Sequence, residues 1–494
     1  MDARIQWESR CSCRKQRLRV EGIAFITRLL FVITYTDSKP THLRQRNAAS
    51  QGVVMYSEEV LALFKKQGIE IGDIVSISSS TGKFEGEIMP KTGSGDDNII
   101  VLKLKSGYNA GILYGKDVKV EKIASGKHSS EIFEKELKRN PLLPDVTILW
   151  TGGTIGSKVG YRTGGVEAKL KPGELLYYIP ELAEIANITL KHIFNIWSDN
   201  MTVKEWQKIA VETANSLKEG ANGVVITHGT DTMHYTGAAL SFMLQNLNAP
   251  VVLTGAQRSS DRGSSDAFMN LICAVHLAAK SDIAEVGICM HAKSSDDKCA
   301  FLRGTKARKM HSSRRDAFRS INSSPIATVN MKGDIQYIGN YRKRNGKGKS
   351  EPELATKFEP KVALIKAYPN SDPEIIDYYV KNKYKGIIIE GTGLGHFPTS
   401  GISWLPGVKK AVDKGVIVGM TTQCINGRVN ANVYEPARMI SRAGVVYCED
   451  MLPETAYIKL GWLLANKPEQ AKELLPKDLA GEITPRIEYE ENFD

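Results

Sequence analysis

The chain has 494 residues, 42% of them hydrophobic, which is enough for roughly three domains with packed cores. Its seven cysteines, at 11, 13, 273, 289, 299, 424 and 448, are odd in number and scattered, which argues against a disulfide framework and for a reducing cytoplasm. The net charge of +11 points to a polyanion only until it is located: residues 1–54 hold ten Lys/Arg against four Asp/Glu, a net +6, and the remaining +5 is ordinary for the rest of the chain.

Residues 1–54 show no capped helix and little period. Their apolar run "GIAFITRLLFVITY" is interrupted by Arg28, is too short to span a bilayer and precedes no small-residue cleavage pattern. Cys11-x-Cys13 supplies half of a zinc ligand set and nothing completes it, so no metal is expected. The segment reads as a disordered basic arm or an extension from a start assigned too early, and no later stretch reads as a membrane span.

From 55 to 130 the texture changes. Ser57 caps a helix with Glu58 and Glu59 at its positive end. "GDIVSISS", "KFEGEIMP", "NIIVLKLKSGYNAGIL" and "KDVKVEKI" then alternate as short strands, predicting a small β-barrel without a chemical constellation. A charged linker helix over 131–144 follows. Residues 145–345 alternate apolar strands with helices near 173–186, 203–217, 235–247 and 265–279, which predicts an α/β unit with a mostly parallel sheet. "NYRKRNGKGKSEPELATK" reads as a solvated linker, and 358–494 as a smaller α/β unit with a polar tail.

Ligands of such sheets lie beyond the carboxyl ends of the strands. Three hydroxyl-rich turns sit at such ends: "TGGT" at 151–154, "HGTDT" at 228–232 and "GAQRS" at 255–259. A glycine turn after a strand can cradle phosphate, but TGGTIG lacks the Gly-Lys-Ser/Thr ending of a nucleotide loop and the spacing of a dinucleotide fingerprint. The other reading is that Gly152 and Gly153 clear room around the hydroxyl of Thr154. Thr230 and Asp231 stand at a helix start, where capping alone would explain them. His228 and His234, six apart, match no metal spacing and read as structural.

Taken together, "TGGTIGSK", "THGTDTM", "LTGAQRSSDRGSSDAFMNL" and "RGTKARKMHSSRRDAF" resemble the L-asparaginase/glutaminase family in order and spacing. More narrowly, the preceding β unit, "IWSDNMTVKEW", "GRVNANVYEPAR" and "AGEITPR" resemble its branch of D-type subunits from archaeal glutamyl-tRNA(Gln) amidotransferases. The resemblance implies Thr154 as nucleophile on the side-chain amide, with Thr230, Asp231 and Lys309 as the remaining catalytic set. It places Tyr161 near the nucleophile, Ser198 and Asp199 against the substrate's α-carboxylate, and Asp231 against its ammonium. Asp199-Asn200 reads equally as a turn, and the order in which the two threonines attack stays open.

The chemistry agrees, since a threonine hydroxyl needs a nearby base and a desolvated lysine can serve, although a neighbouring Asp231 favours the ammonium. Backbone N–H groups at the turns would stabilise the oxyanion. In one departure from stand-alone asparaginases, "GTGLG" carries Leu394 where they place an Asn. The resemblance further implies glutamine as substrate, no cofactor in this chain, and ATP and Mg handled by an E-type partner subunit. It also implies Glu-tRNA(Gln) bound mainly through that partner, a homodimer within a heterotetramer, and a cytoplasmic setting. A free-standing asparaginase and a tRNA-binding scaffold with a vestigial site are the alternatives.

Overall fold

The computed structural model describes residues 56–80, 82–89, 96–104, 109–125, 139–153, 157–159, 166–168, 179–258, 264–346 and 351–486. All belong to one compact unit, Gly52–Asp494. The expectations for residues 1–54, for Cys11 and Cys13, and for most of the linker helix fall outside the described residues, as do Thr154 and Tyr161.

Helix α1, Glu58–Gln67, starts where the Ser57 hydroxyl accepts the Val60 N–H and ends at Gly68 in the left-handed region, φ 62. It packs Val60 and Phe64 onto a five-stranded antiparallel sheet of β1 (Ile74–Ser79), β2 (Gly82–Ile88), β3 (Ile99–Leu104), β4 (Asn109–Leu113) and β5 (Lys119–Ala124), in the order β4-β3-β2-β1-β5. Closure into the predicted barrel is not seen among the described residues: β4 and β5 end the hydrogen-bonded ladder, and no pairing there joins them. The core of this unit, Val75, Ile77, Ile88, Ile100, Leu102 and Val120, comes from the alternating inward positions that the sequence marks.

The large sheet has eight strands. β6 (Asp145–Trp150), β7 (Asn187–His192), β8 (Gly223–Thr227), β9 (Val251–Thr254) and β10 (Val286–His291) run parallel. The sequence alternation anticipates these strands, with crossover helices α2 (Val203–Lys218), α3 (Met233–Met243) and α4 (Ala267–Lys280) among the connections. The chain then turns back on itself in β11 (Cys299–Arg303), forms a separate hairpin of β12 (Ala307–Lys309) and β13 (Phe318–Ser320), and returns antiparallel in β14 (Ala327–Val329) and β15 (Ile335–Tyr337). The order is β15-β14-β11-β10-β9-β8-β6-β7, so the sheet is mixed, with one antiparallel edge built by short loops rather than crossovers. Five thiols in the described residues are free, and Cys273, Cys289 and Cys299 lie in the core between α4 and this sheet.

The expected solvated linker is partly tied down. Arg344 N–H donates to Asp282 O at 2.7 Å and Ala355 N–H to Met243 O at 2.9 Å. Beyond it β16 (Val362–Lys366), α5 (Glu374–Lys381), β17 (Gly386–Gly391), α6 (Leu405–Asp413), β18 (Ile417–Thr422), α7 (Glu435–Arg442), β19 (Val446–Tyr447) and α8 (Pro453–Asn466) form a second α/β layer around the parallel order β16-β17-β18-β19. Helix α8 packs Ile458, Trp462 and Leu463 into the same core as Leu240, Phe242 and Val251, so the two sheets share one apolar interior. Two fully buried ion pairs cross it: Lys306 with Asp450 at 2.6 Å and Lys459 with Glu482 at 2.6 Å. Both carboxylates also accept backbone N–H groups, which a buried charge needs to offset its desolvation. No helix among the described residues is long and apolar enough to cross a membrane.

Candidate active site

Parallel pairing in register brings the ends of β6, β8 and β9 side by side, with Trp150 opposite Thr227 and Thr227 opposite Thr254. The three turns singled out in the sequence therefore leave one edge of the sheet together. The Thr151 hydroxyl donates to Thr227 O at 2.6 Å and fixes the first turn to the second. Gly152 and Gly153 then take φ values of 108° and 84°, a region that side chains strain to enter.

Their missing side chains let two turns meet. A Cβ on Gly152 would stand 2.7 Å from Ile196 O, and one on Gly153 would stand 2.8 Å from the Gly229 nitrogen. The space is taken by neighbouring protein backbone, so the glycines dock the TGG turn directly against the HGTDT turn. Thr154 is the next residue in the chain and lies outside the described residues, as does Tyr161.

Beneath this junction His228 is fully buried. Its Nδ1 faces Gly229 O at 2.6 Å and so donates; its Nε2 accepts from the Thr236 hydroxyl at 2.8 Å, which itself takes the Trp206 indole N–H at 3.1 Å. Burial lowers the imidazole to about 4 despite the carbonyl, leaving a neutral strut. His234, in the first turn of α3, is pushed down to about 3 by burial first and then by the positive charge of Arg308. Both histidines are thus structural in the sense the sequence suggests. His234 Nδ1 has no hydrogen-bond partner among the described residues.

Thr230 is buried and Asp231, next to it, is 74% exposed at the side chain. Lys309 reaches both from the end of β12: its Nζ donates to Thr230 Oγ1 at 2.9 Å and to Asp231 Oδ1 at 2.7 Å, with only 9% of the side chain exposed. Strand alternation sends the adjacent Arg308 the other way, to Glu454 Oε1 at 3.0 Å, and burial raises the Glu454 carboxyl while Arg308 opposes the rise. Just before the strand, Lys306 is pinned by Asp450. These anchors, 144 and 146 residues away in sequence, hold the hairpin, and spacing alone carries no sign of them.

Ser198 and Asp199 lie in a short 3₁₀ turn, Ser198–Asn200, that packs on the same junction. The Ser198 carbonyl accepts the Thr232 hydroxyl at 2.6 Å, and a Cβ on Gly229 would lie 2.8 Å from Ser198 Oγ. Asp199 is exposed on the outer side of that turn. Thr230, Asp231, Lys309 and Ser198 are therefore brought together, and Asp199 borders them. Leu394 lies in the Gly391–His396 turn, where its carbonyl accepts the Asn430 N–H at 2.9 Å. No group of three or more His, Cys, Asp or Glu among the described residues is arranged to hold a metal ion.

The arrangement sets a hydroxyl, an amine nitrogen and a carboxylate within hydrogen-bond reach of one another, the groups that activation of a hydroxyl nucleophile needs. Comparison with known proteins gives the family. Residues 145–342 match the family described as Asparaginase, N-terminal, residues 361–474 the Glutaminase/Asparaginase C-terminal domain, and residues 69–123 the GatD N-terminal domain. The chain is 52% identical over 429 residues to the D-type subunit of glutamyl-tRNA(Gln) amidotransferase from Pyrococcus furiosus, covering 85% of this chain and 96% of that one. It is 47% identical over 434 residues to the protein of the same name from Methanothermobacter thermautotrophicus, covering 87% and 98%. Among solved structures, the thermostable L-asparaginase of Thermococcus kodakarensis superposes with a TM-score of 0.62 at 32% identity, over 69% of this chain and 100% of that one. L-asparaginase I of Vibrio cholerae gives 0.60 at 32% identity, over 69% and 99%. A lysine shared by a threonine and an aspartate at paired strand ends, on an asparaginase-like α/β fold preceded by this β unit, places the chain in the asparaginase/glutaminase family, in the branch of the D-type glutamyl-tRNA(Gln) amidotransferase subunits.

Proposed function

We propose that Thr230, Asp231 and Lys309 form the catalytic core of a glutamine amidohydrolase site that Thr154 completes. The chain is the glutaminase subunit of a tRNA-dependent amidotransferase: it hydrolyses glutamine to glutamate and supplies ammonia for conversion of Glu-tRNA(Gln) to Gln-tRNA(Gln). The observation that carries the site assignment is the Lys309 ammonium held between Thr230 Oγ1 and Asp231 Oδ1 at 2.9 and 2.7 Å.

In this reading Lys309 acts from its neutral amine form, reached by loss of one proton to solvent: the Thr154 oxygen attacks the side-chain amide carbon while the Thr154 proton passes to Thr230 and the Thr230 proton to Lys309 Nζ. Proton return to the amide nitrogen breaks the C–N bond and releases ammonia; water then cleaves the acyl ester to glutamate and restores the hydroxyl. Asp231 takes the substrate ammonium, Ser198 and Asp199 border the α-carboxylate, and Tyr161 is assigned near the nucleophile. An E-type partner subunit with ATP and Mg activates the glutamate on tRNA and makes most of the tRNA contact. Two copies of this chain pair within a cytoplasmic heterotetramer.

The β unit over residues 69–123, matched by a family of its own, favours this reading over a free-standing asparaginase. Ammonia release from glutamine is the test, first by the chain alone, then with partner and charged tRNA. Release that rises with the partner supports the proposal. Strong asparagine turnover by the isolated chain would favour the asparaginase reading, and tRNA retention without amidase activity the scaffold.

A further inference from the structure

A chain of polar side chains that the proposed reaction does not use holds the turn after β9. Asn270, fully buried in the first turn of α4, donates through Nδ2 to Gly255 O at 2.9 Å and to Asp266 Oδ2 at 3.0 Å. Two partners that only accept fix the amide orientation and leave Oδ1 as an acceptor. It faces His291 Nδ1 at 2.6 Å and takes the Cys299 thiol at 3.4 Å. The other nitrogen of His291 lies 3.1 Å from Asp296 Oδ1, which also receives Arg315 Nη1 at 2.6 Å. Each nitrogen of this buried ring therefore faces an atom that only accepts.

Both ends of the chain reach the site. A Cβ on Gly255 would lie 3.0 Å from Thr230 Cγ2 and 2.6 Å from His228 O, so the Gly255 backbone is the wall behind Thr230. Arg315 belongs to the loop of the β12–β13 hairpin, six residues beyond Lys309. We propose that His291, as a buried imidazolium, is a positioning residue for the amidohydrolase: through Asn270 it holds Gly255 against Thr230, and through Asp296 and Arg315 it anchors the hairpin that presents Lys309. This rests on the assignment of Thr230 and Lys309 to the reaction site.

The test uses the full chain with its partner subunit, ¹⁵N-histidine labelling read by NMR at neutral pH, and glutamine-dependent ammonia release. The wild type is expected to show one doubly protonated ring that disappears in His291→Gln and shifts to a neutral tautomer in Asp296→Asn. Both variants are expected to lose about tenfold or more in kcat, because small displacements of reacting groups are costly, with KM changed by less than about twofold. Asp296, whose side chain is 43% exposed, keeps the test open where His291→Gln does not fold. A neutral His291 signal in the wild type overturns the proposal, and so does a lowered melting temperature with unchanged kcat in both variants. Lys309→Met separates the two readings: an inactive Lys309→Met beside fully active His291→Gln overturns the positioning role alone, whereas an active Lys309→Met overturns the site and the positioning role with it.

Discussion

At Lys309 one ammonium donates to a buried hydroxyl and to a carboxylate that is 74% exposed. An ion pair this open to water contributes at most about 1 kcal/mol to stability, so the contact is weak support for the fold. The proposed reaction gives it a larger role. Lys309→Met is expected to lower glutamine turnover by about 10²- to 10⁴-fold, the range of a lost acid–base group, with little change in melting temperature. Turnover within about threefold of wild type would remove Lys309 from the mechanism.

The histidines beneath the site act on stability instead. Folded His228 titrates at about 4 and His234 at about 3, both held neutral chiefly by burial. An unfolded imidazole titrates near 6.5, so below that pH the unfolded chain binds the extra proton. The stability linked to each group is intact above about pH 6.5 and falls by about 1.4 kcal/mol per pH unit as pH drops towards the folded value. His234→Leu removes one such group. In denaturant unfolding, the stability of this variant relative to wild type is expected to improve by about 2 kcal/mol between pH 7 and pH 5. A constant difference across that interval would contradict the assigned protonation state.

Among the elements, the turn of Gly152 and Gly153 shows what sequence reveals and what it hides. The strand–turn–helix rhythm marks it as a site at a strand end, and the observed parallel registers put it there. Its neighbour is hidden, because Ile196 and the His228–Gly229 peptide approach from segments 40 to 80 residues away. Gly153→Ala tests this docking. With φ at 84° and a clash distance of 2.8 Å to backbone, the variant is expected to lose about 1–3 kcal/mol of stability and most of its glutaminase activity. Wild-type activity and melting temperature in the variant would mean that the two turns do not depend on close approach.

The same logic separates the two layers of the hairpin. Its tip motif "RKMHSSRRDAF" is legible as a family signature, whereas its anchors are not: Lys306 meets Asp450, and Arg308 meets Glu454, through tertiary packing that no local pattern encodes. The N-terminal strands are legible from alternation, but their arrangement is only half so. Alternation fixes which face is buried, not whether the edges of a five-stranded sheet meet.

At the scale of the whole molecule, the two α/β sheets are joined by α8 and by the polar tail that follows it. Glu482 is fully buried against Lys459, and Asp450 accepts the Thr484 N–H at 2.9 Å, so residues 478–486 are an integral strap across the core. Only a lysine paired across more than twenty residues reveals that role. The order of motifs along the chain, by contrast, carries the function: turns at three adjacent strand ends need no long-range knowledge once the sheet is parallel.

The most direct measurement is Gln-tRNA(Gln) formation by the complex of this chain with its partner subunit, comparing wild type with Thr154→Ala and supplying either glutamine or free ammonium. The variant is expected to lose formation from glutamine while keeping it from ammonium, because only the source of ammonia is removed. Undiminished formation from glutamine would contradict Thr154 as the nucleophile, and with it the account of how the site works.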